Sequence, residues 1–98
     1  MLQIISQNDS KIILNNTNPE TNIDMVNKYI KLCNCEYMTV DITNLNVMDA
    51  CMVSTLCSTE HYLKYPEGKI NWIINSEEVM DYTSDISLGN TCFEVIKQ

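Results

Sequence analysis

The sequence is poor in cations, in glycine and in long apolar runs, and each shortage excludes a class of protein. Among its 98 residues, 6 Lys and Arg stand against 13 Asp and Glu, which gives a net charge of −7. Nucleic acids and anionic membrane surfaces are bound by clustered cations, so we expect neither as a partner. Gly68 and Gly89 are isolated, so no glycine-rich loop can cradle a phosphate. Apolar runs are far shorter than the roughly 20 residues of a membrane-spanning helix, so no membrane insertion is expected.

Cysteine usage and the N-terminal segment favour a protein of a reducing compartment. The 5 cysteines are an odd number, and their spacing does not suggest a disulfide framework. No basic segment followed by a long apolar stretch opens the chain, so no secretory signal is recognised. We therefore expect free thiols and a cytoplasmic location. An apolar content of 45% is typical of a globular core, and the length suits a single domain over residues 1–98.

Hydrophobic periodicity predicts alternating strands and helices. Two-residue alternation and β-rich runs predict strands over 2–6, 11–14, 37–42, 69–74 and 91–96, the first two forming a hairpin around a turn at 7–10. Helical spacing predicts helices over 19–32, from an Asp49 N-cap to about 64, and over 77–82. For the second helix we expect a buried stripe and, elsewhere, a polar solvated strip. The buried set is Ala50, Val53, Leu56, Cys57 and Leu63, and the polar strip is Ser54, Thr55, Ser58, Thr59 and Tyr62.

This order of elements predicts an α/β fold built as a two-layer sandwich. After the N-terminal hairpin, βαβαβαβ alternation implies a mixed, mostly parallel sheet joined by right-handed crossovers. Strands buried on both faces would be continuous apolar runs, whereas these strands alternate polar and apolar residues. We therefore expect the helices mainly on one face and the other face of the sheet relatively open.

Residues 38–51, Met-Thr-Val-Asp-Ile-Thr-Asn-Leu-Asn-Val-Met-Asp-Ala-Cys, resemble the signature of STAS domains, the fold of anti-sigma factor antagonists. In that family a hydrophobic strand ends in an Asp, and after a short loop Asp-Ser-Ser-Gly opens a helix. Here Asp41 ends the strand and Asp49 precedes Ala50, which stands where the family has its phosphoacceptor serine. The order of elements is similar over nearly the whole chain, although the family's usual C-terminal helix has no counterpart.

The resemblance implies a non-enzymatic protein-interaction module that regulates transcription without phosphorylation at Ala50. Its implied partner is an anti-sigma factor or a histidine-kinase-like protein, and its docking surface is the loop after the third strand with the exposed side of the next helix. The implied docking residues are Asp41, Asn44, Asn46, Asp49, Ala50, Cys51, Ser54 and Ser58. Three alternatives stay open: a STAS-type structural subunit of a transport ATPase complex, a small-ligand or redox-sensing domain using Cys51, and a homodimer.

Reactive side chains do not assemble into a catalytic or metal centre in the sequence. Asp41 and Asp49 could share a crevice, but no third ligand or base is evident, so capping and loop hydrogen bonds are the favoured interpretation. Cys57 and His61 are four residues apart on one helix, yet His61 is the only histidine. A helix N-terminus would favour a Cys51 thiolate and Asp49 would oppose it, which favours an inert thiol. We expect no enzyme activity, no cofactor and no metal.

Overall fold

The computed structural model describes residues 2–4 and 10–96, and strands alternate with helices along them. The strands are β1 (Leu2–Ile4), β2 (Ser10–Leu14), β3 (Tyr37–Asp41), β4 (Lys69–Ile74) and β5 (Thr91–Val95). The helices are α1 (Pro19–Leu32), α2 (Val47–Lys64) and α3 (Glu77–Thr83), followed by a 3₁₀ turn, η1 (Ser84–Ile86). The predicted order of elements is confirmed. The predicted turn at 7–10 falls largely outside the described residues, and Ser10 already belongs to β2.

The strands form one five-stranded sheet in the order β1-β2-β3-β4-β5. β1 is antiparallel to β2, and every later strand is parallel to the one before it, which confirms the hairpin and the mostly parallel sheet. With neighbouring strands consecutive in sequence, right-handed crossovers place the connecting helices on the same face. α2 packs between α1 and α3 and makes the middle of this helical layer. Among the described helices, none has the length and apolarity needed to cross a bilayer.

The strands present their apolar residues to the helices, as the two-residue alternation predicts. Met38 and Val40 of β3 are buried, whereas Thr39 between them is half-buried on the opposite face. On β4, Ile70 and Trp72 are fully buried in the same core. Each such side chain contributes about 1.5–3 kcal/mol when it is removed from water, so this inner face of the sheet supplies much of the stability.

Helix ends are set by side-chain caps, and one of them differs from the prediction. The Asn18 side chain accepts from the Glu20 backbone N–H at 2.8 Å and begins α1. α2 begins at Val47 after an Asn46 cap, whose Oδ1 accepts from the Asp49 backbone N–H at 2.8 Å. The predicted Asp49 cap is therefore wrong. Asp49 lies inside the first turn, where its carboxylate still faces the positive end of the helix dipole.

Candidate functional site

The predicted docking residues lie where β3 passes into α2, but several of them stabilise the loop itself. Asp41 ends β3, and its Oδ1 accepts from the Thr43 backbone N–H at 2.9 Å and from the Thr43 hydroxyl at 2.7 Å. Asn44 is exposed and donates from Nδ2 to the Leu14 carbonyl oxygen at 3.2 Å, which ties the loop to β2. Both the Asp41 and the Asn44 side chains therefore stabilise the loop, and this role accounts for their presence without a partner. The exposed surface of this loop is formed by Asn44 and Asn46.

The position that the resemblance aligns with a phosphoacceptor serine is part of the core. Ala50 is only 2% exposed and packs in the hydrophobic cluster between the helices and the sheet. A large or charged side chain at Ala50 would therefore disturb packing before it affected any partner. Ala50 is not available as a contact residue in this structure.

The predicted polar strip on α2 is wrong for its serines, because Ser54 and Ser58 are buried. The Ser58 hydroxyl oxygen accepts from Trp72 Nε1 at 2.8 Å, which satisfies an indole N–H that would otherwise be unpaired in the core. The Ser54 hydroxyl donates to the Cys51 carbonyl oxygen at 3.2 Å. The bond from Trp72 therefore holds Ser58 on the inner side of α2, and the bond within the helix satisfies the buried Ser54 hydroxyl.

His61 also belongs to the inner side of α2, fully buried in a hydrogen-bond network. Its Nε2 lies 2.9 Å from the Cys35 carbonyl oxygen, which can only accept, so Nε2 carries the proton. Its Nδ1 accepts from Asn90 Nδ2 at 3.1 Å, and Asn90 also donates to the Ser58 carbonyl oxygen at 3.0 Å. The imidazole is therefore neutral, and burial lowers the pKa of His61. Both ring nitrogens are occupied, which leaves none for a metal ion.

The thiols and carboxylates do not form a reactive centre in the described part of the chain. The Cys51 thiol is half-buried with its sulfur 4.0 Å from the Val79 carbonyl oxygen, and burial together with the nearby Glu78 raises its pKa. Burial raises the pKa of the Cys57 thiol as well. Within residues 2–4 and 10–96, no group of three or more His, Cys, Asp or Glu residues could hold a metal ion. The arrangement supports inert thiols rather than a nucleophile.

The outer side of α2 carries an apolar stripe that sequence reasoning missed. Leu56 and Leu63, which were predicted to be buried, are 49% and 71% exposed. Met48 is 73% exposed and Met52 is 41% exposed. Steps of four, four and seven residues align these side chains on one line of the helix, and we name it the α2 outer stripe. Ala50, Val53 and Cys57, predicted as core, are buried on the opposite side, as expected.

A signal for this stripe is present in the sequence. α2 has two sets of apolar residues at helical spacing, on opposite sides, whereas a helix at a protein surface normally has one. The second apolar set, on the solvent side, therefore needs an explanation beyond packing on the sheet. The polar residues that compete for the inner side, Ser54, Ser58 and His61, conceal the pattern.

Comparisons with protein-family models, with curated proteins and with solved structures find no match to this chain. The STAS resemblance therefore stays a prediction, based on residues 38–51 and the order of elements. What the structure adds is a two-layer α/β arrangement, a loop with exposed asparagines, and an exposed apolar stripe beside that loop.

Proposed function

We propose that this chain is a non-enzymatic protein-interaction module that binds its partner through the α2 outer stripe. The observation that carries the proposal is the alignment of Met48, Met52, Leu56 and Leu63 on the exposed side of one helix. Single exposed apolar side chains are common on protein surfaces, but a continuous set of them is typical of a binding surface. Methionine also adapts its shape to a partner, because its side chain is unbranched and flexible.

Burial of the stripe supplies a useful part of a binding free energy. A fully buried Leu or Met side chain contributes about 1.5–3 kcal/mol relative to an exposed one. Association costs at least about 4 kcal/mol in lost freedom of motion, so two or three such anchors roughly offset that cost. Affinity must then come from additional contacts beside the stripe.

The loop before α2 extends the same surface. Asn44 and Asn46 are exposed and shortly precede Met48 in the chain, so a partner that covers the first turn of α2 also meets their amides. This surface keeps the loop that the STAS resemblance implies. It replaces the predicted Ser54 and Ser58, which are buried, by the exposed apolar residues on the outer side of α2. Polar amides at the rim of an apolar centre are the usual composition of a protein interface.

Under this proposal the partner is an anti-sigma factor or a histidine-kinase-like protein, and the chain regulates transcription in the cytoplasm without phosphorylation at Ala50. The support for this class of partner is the resemblance of residues 38–51 to the STAS signature. A structural subunit of a transport ATPase complex would use the same stripe, and the identity of the captured protein separates the two. The raised pKa of the Cys51 thiol disfavours the redox alternative.

The test compares partner capture by the wild-type chain, by Leu56→Glu and by Leu32→Glu, with captured proteins identified by mass spectrometry. Leu32 is 73% exposed at the end of α1 and outside the stripe, which makes it a matched control. We expect a partner that the wild type and Leu32→Glu both retain and that Leu56→Glu loses. Thermal melting of both variants should be close to wild type, because both side chains are exposed. Capture by Leu56→Glu at the wild-type level would contradict the proposal.

A further inference from the structure

A small pocket beside the α2 outer stripe is lined mainly by serine and threonine residues, together with Ile86, Leu88 and Phe93. It lies between α2, η1 and the start of β5, with Thr55 and Thr59 on its α2 side and Ile86 and Ser87 opposite. Thr55 follows Met52 by three residues and Thr59 follows Leu56 by three, so the stripe and the pocket are adjacent on the helix surface. The pocket has room for about one water-sized group.

Most of the hydroxyl groups that line this pocket offer lone pairs rather than protons; Ser58, which accepts from Trp72 Nε1, and Thr55 are the exceptions. Ser54, Thr59, Thr83 and Ser87 each donate to a backbone carbonyl oxygen of the preceding turn, at distances from 2.8 to 3.2 Å. A hydroxyl has one proton and two lone pairs, so what remains at these oxygens is acceptor capacity. These four oxygens favour a group that brings donors, and an ammonium group is a water-sized donor without acceptors.

Carboxylates outnumber cations around the pocket, where one cation is Lys69, whose Nζ donates to the Gly89 carbonyl oxygen at 3.0 Å, next to Leu88 of the lining. α3 and η1, which form its far side, carry Glu78, Asp81 and Asp85. Residues 70–96 contain no Lys or Arg. On α2 the cation is Lys64, whose Nζ donates to the Ile30 carbonyl oxygen at 2.6 Å and so belongs to the end of α1. The field at this side of the stripe is therefore negative and favours a cationic partner.

Building on the proposed function, we infer that the partner presents a basic amphipathic segment to this surface. Its apolar side chains lie on Met48, Met52 and Leu56, and one of its lysines places an ammonium group in the hydroxyl-lined pocket. Both the acceptor oxygens of the lining and the carboxylates of α3 and η1 favour this occupant. A second copy of the chain is disfavoured, because each copy carries a net charge of −7.

The probe for this inference is a synthetic amphipathic helix of Leu and Lys, about 18 residues or five turns long. Its matched control has Glu in place of every Lys and the same Leu face. Binding of both peptides to the full chain is measured by fluorescence anisotropy at low and high ionic strength. We expect the Lys peptide to bind, with weaker binding at high salt, and the Glu peptide not to bind.

Variants separate the apolar contribution from the charged one. Leu56→Gln should weaken binding of the Lys peptide about tenfold, which is the effect of one lost apolar anchor. The double variant Asp81→Asn, Asp85→Asn should weaken it about three- to tenfold, since it removes attraction rather than contact area. Glu20→Gln, Glu67→Gln changes the net charge equally at exposed positions elsewhere and should leave binding unchanged. Thr59→Val removes one hydroxyl oxygen of the pocket, and it should weaken binding of the Lys peptide without affecting the fold.

Several outcomes overturn the inference, and they differ from failure of the proposed function. If the Lys and Glu peptides bind equally, and Leu56→Gln binds neither, the stripe is still a docking surface but its partner need not be basic. A dimer of the free chain that Leu56→Gln dissociates, seen by sedimentation, would assign the stripe to a second copy. Binding to phosphatidylserine vesicles but not to the Lys peptide would assign it to a membrane. Absence of Lys-peptide binding overturns the inference, and retained partner capture by Leu56→Glu overturns the proposed function itself.

Discussion

The buried imidazole of His61 makes the stability of this fold depend on pH. Its Nε2–H donates to the Cys35 carbonyl oxygen at 2.9 Å, and its Nδ1 accepts from Asn90 at 3.1 Å. A second proton would have to sit on Nδ1, directly against an amide N–H donor. Burial lowers the pKa of His61 below its usual value of 6.5, and this effect exceeds the opposing hydrogen bonds and the nearby Glu36.

The sign and size of the effect follow from proton linkage. The folded state holds His61 neutral, so the unfolded chain takes up a proton first as the pH falls below about 6.5. The stability is present in full above that pH and is lost as the pH falls toward the lower pKa of the folded state. One extra proton on the unfolded chain corresponds to a loss of up to about 1.4 kcal/mol of unfolding free energy per pH unit.

The assay is urea unfolding of the wild type and of His61→Gln at closely spaced pH values below and above 6.5. Gln can keep a donor to the Cys35 carbonyl oxygen but does not titrate, and removal of the acceptor for Asn90 costs about 1–3 kcal/mol at neutral pH. Because His61 is the only histidine, the difference between the two unfolding free energies isolates its titration. We expect that difference to narrow as the pH falls below 6.5. A difference that is constant with pH would refute the assignment of a neutral, network-bound imidazole.

Two further changes test close packing and capping. A Cβ on Gly68 would collide with the backbone carbonyl oxygen of Glu36, so Gly68→Ala should cost about 1–3 kcal/mol of unfolding free energy. The control is Gly89→Ala, where a Cβ meets open space, and it should be neutral or stabilise the fold by up to about 1 kcal/mol. If Gly68→Ala and Gly89→Ala change the unfolding free energy equally in urea, the Glu36 carbonyl does not restrict position 68. Lys64→Met removes an ammonium that caps the carbonyl end of α1 and should lower the unfolding free energy by about 1.5–3 kcal/mol. Lys31→Met, on the same helix end, should cost clearly less in thermal and urea unfolding.

The strands could be predicted from the sequence because most of their residues follow a two-residue repeat, to which the buried Ile73, between Trp72 and Ile74, is an exception. Alternation alone places certain side chains on one face of a strand, whichever strand lies beside it. The core residues predicted in this way are Met38, Val40 and Trp72. Alternating polar residues also predicted helices mainly on one face, and the consecutive strand order, which was not itself predicted, agrees with that arrangement. The N-cap of α2 could not be predicted in this way, because Asn46 and Asp49 are both good N-cap residues and the hydrophobic pattern does not distinguish them.

The inner side of α2 could not be predicted, because distant hydrogen bonds decide it. The Ser58 hydroxyl is held inside by its hydrogen bond from the indole of Trp72. The His61 ring is held by the Cys35 carbonyl oxygen and the Asn90 side chain, which are distant from it in the sequence. A pattern based on apolarity ranks leucine above serine and histidine, so it placed Leu56 and Leu63 inside. The loop at Asn44 is exposed, as expected. The α2 outer stripe next to it was missed, because Leu56 and Leu63 had been assigned to the core.

The consecutive strand order has a consequence for how the chain folds during synthesis. Each strand pairs with the one made before it, so no later strand has to enter between two that have already joined. The sheet can therefore extend at one edge, hairpin first, as the chain leaves the ribosome. The single tryptophan, Trp72, lies in β4 and is therefore synthesised after β3 and α2. During synthesis, burial of Trp72 therefore marks the stage at which β4 joins β3, its neighbour in the sheet.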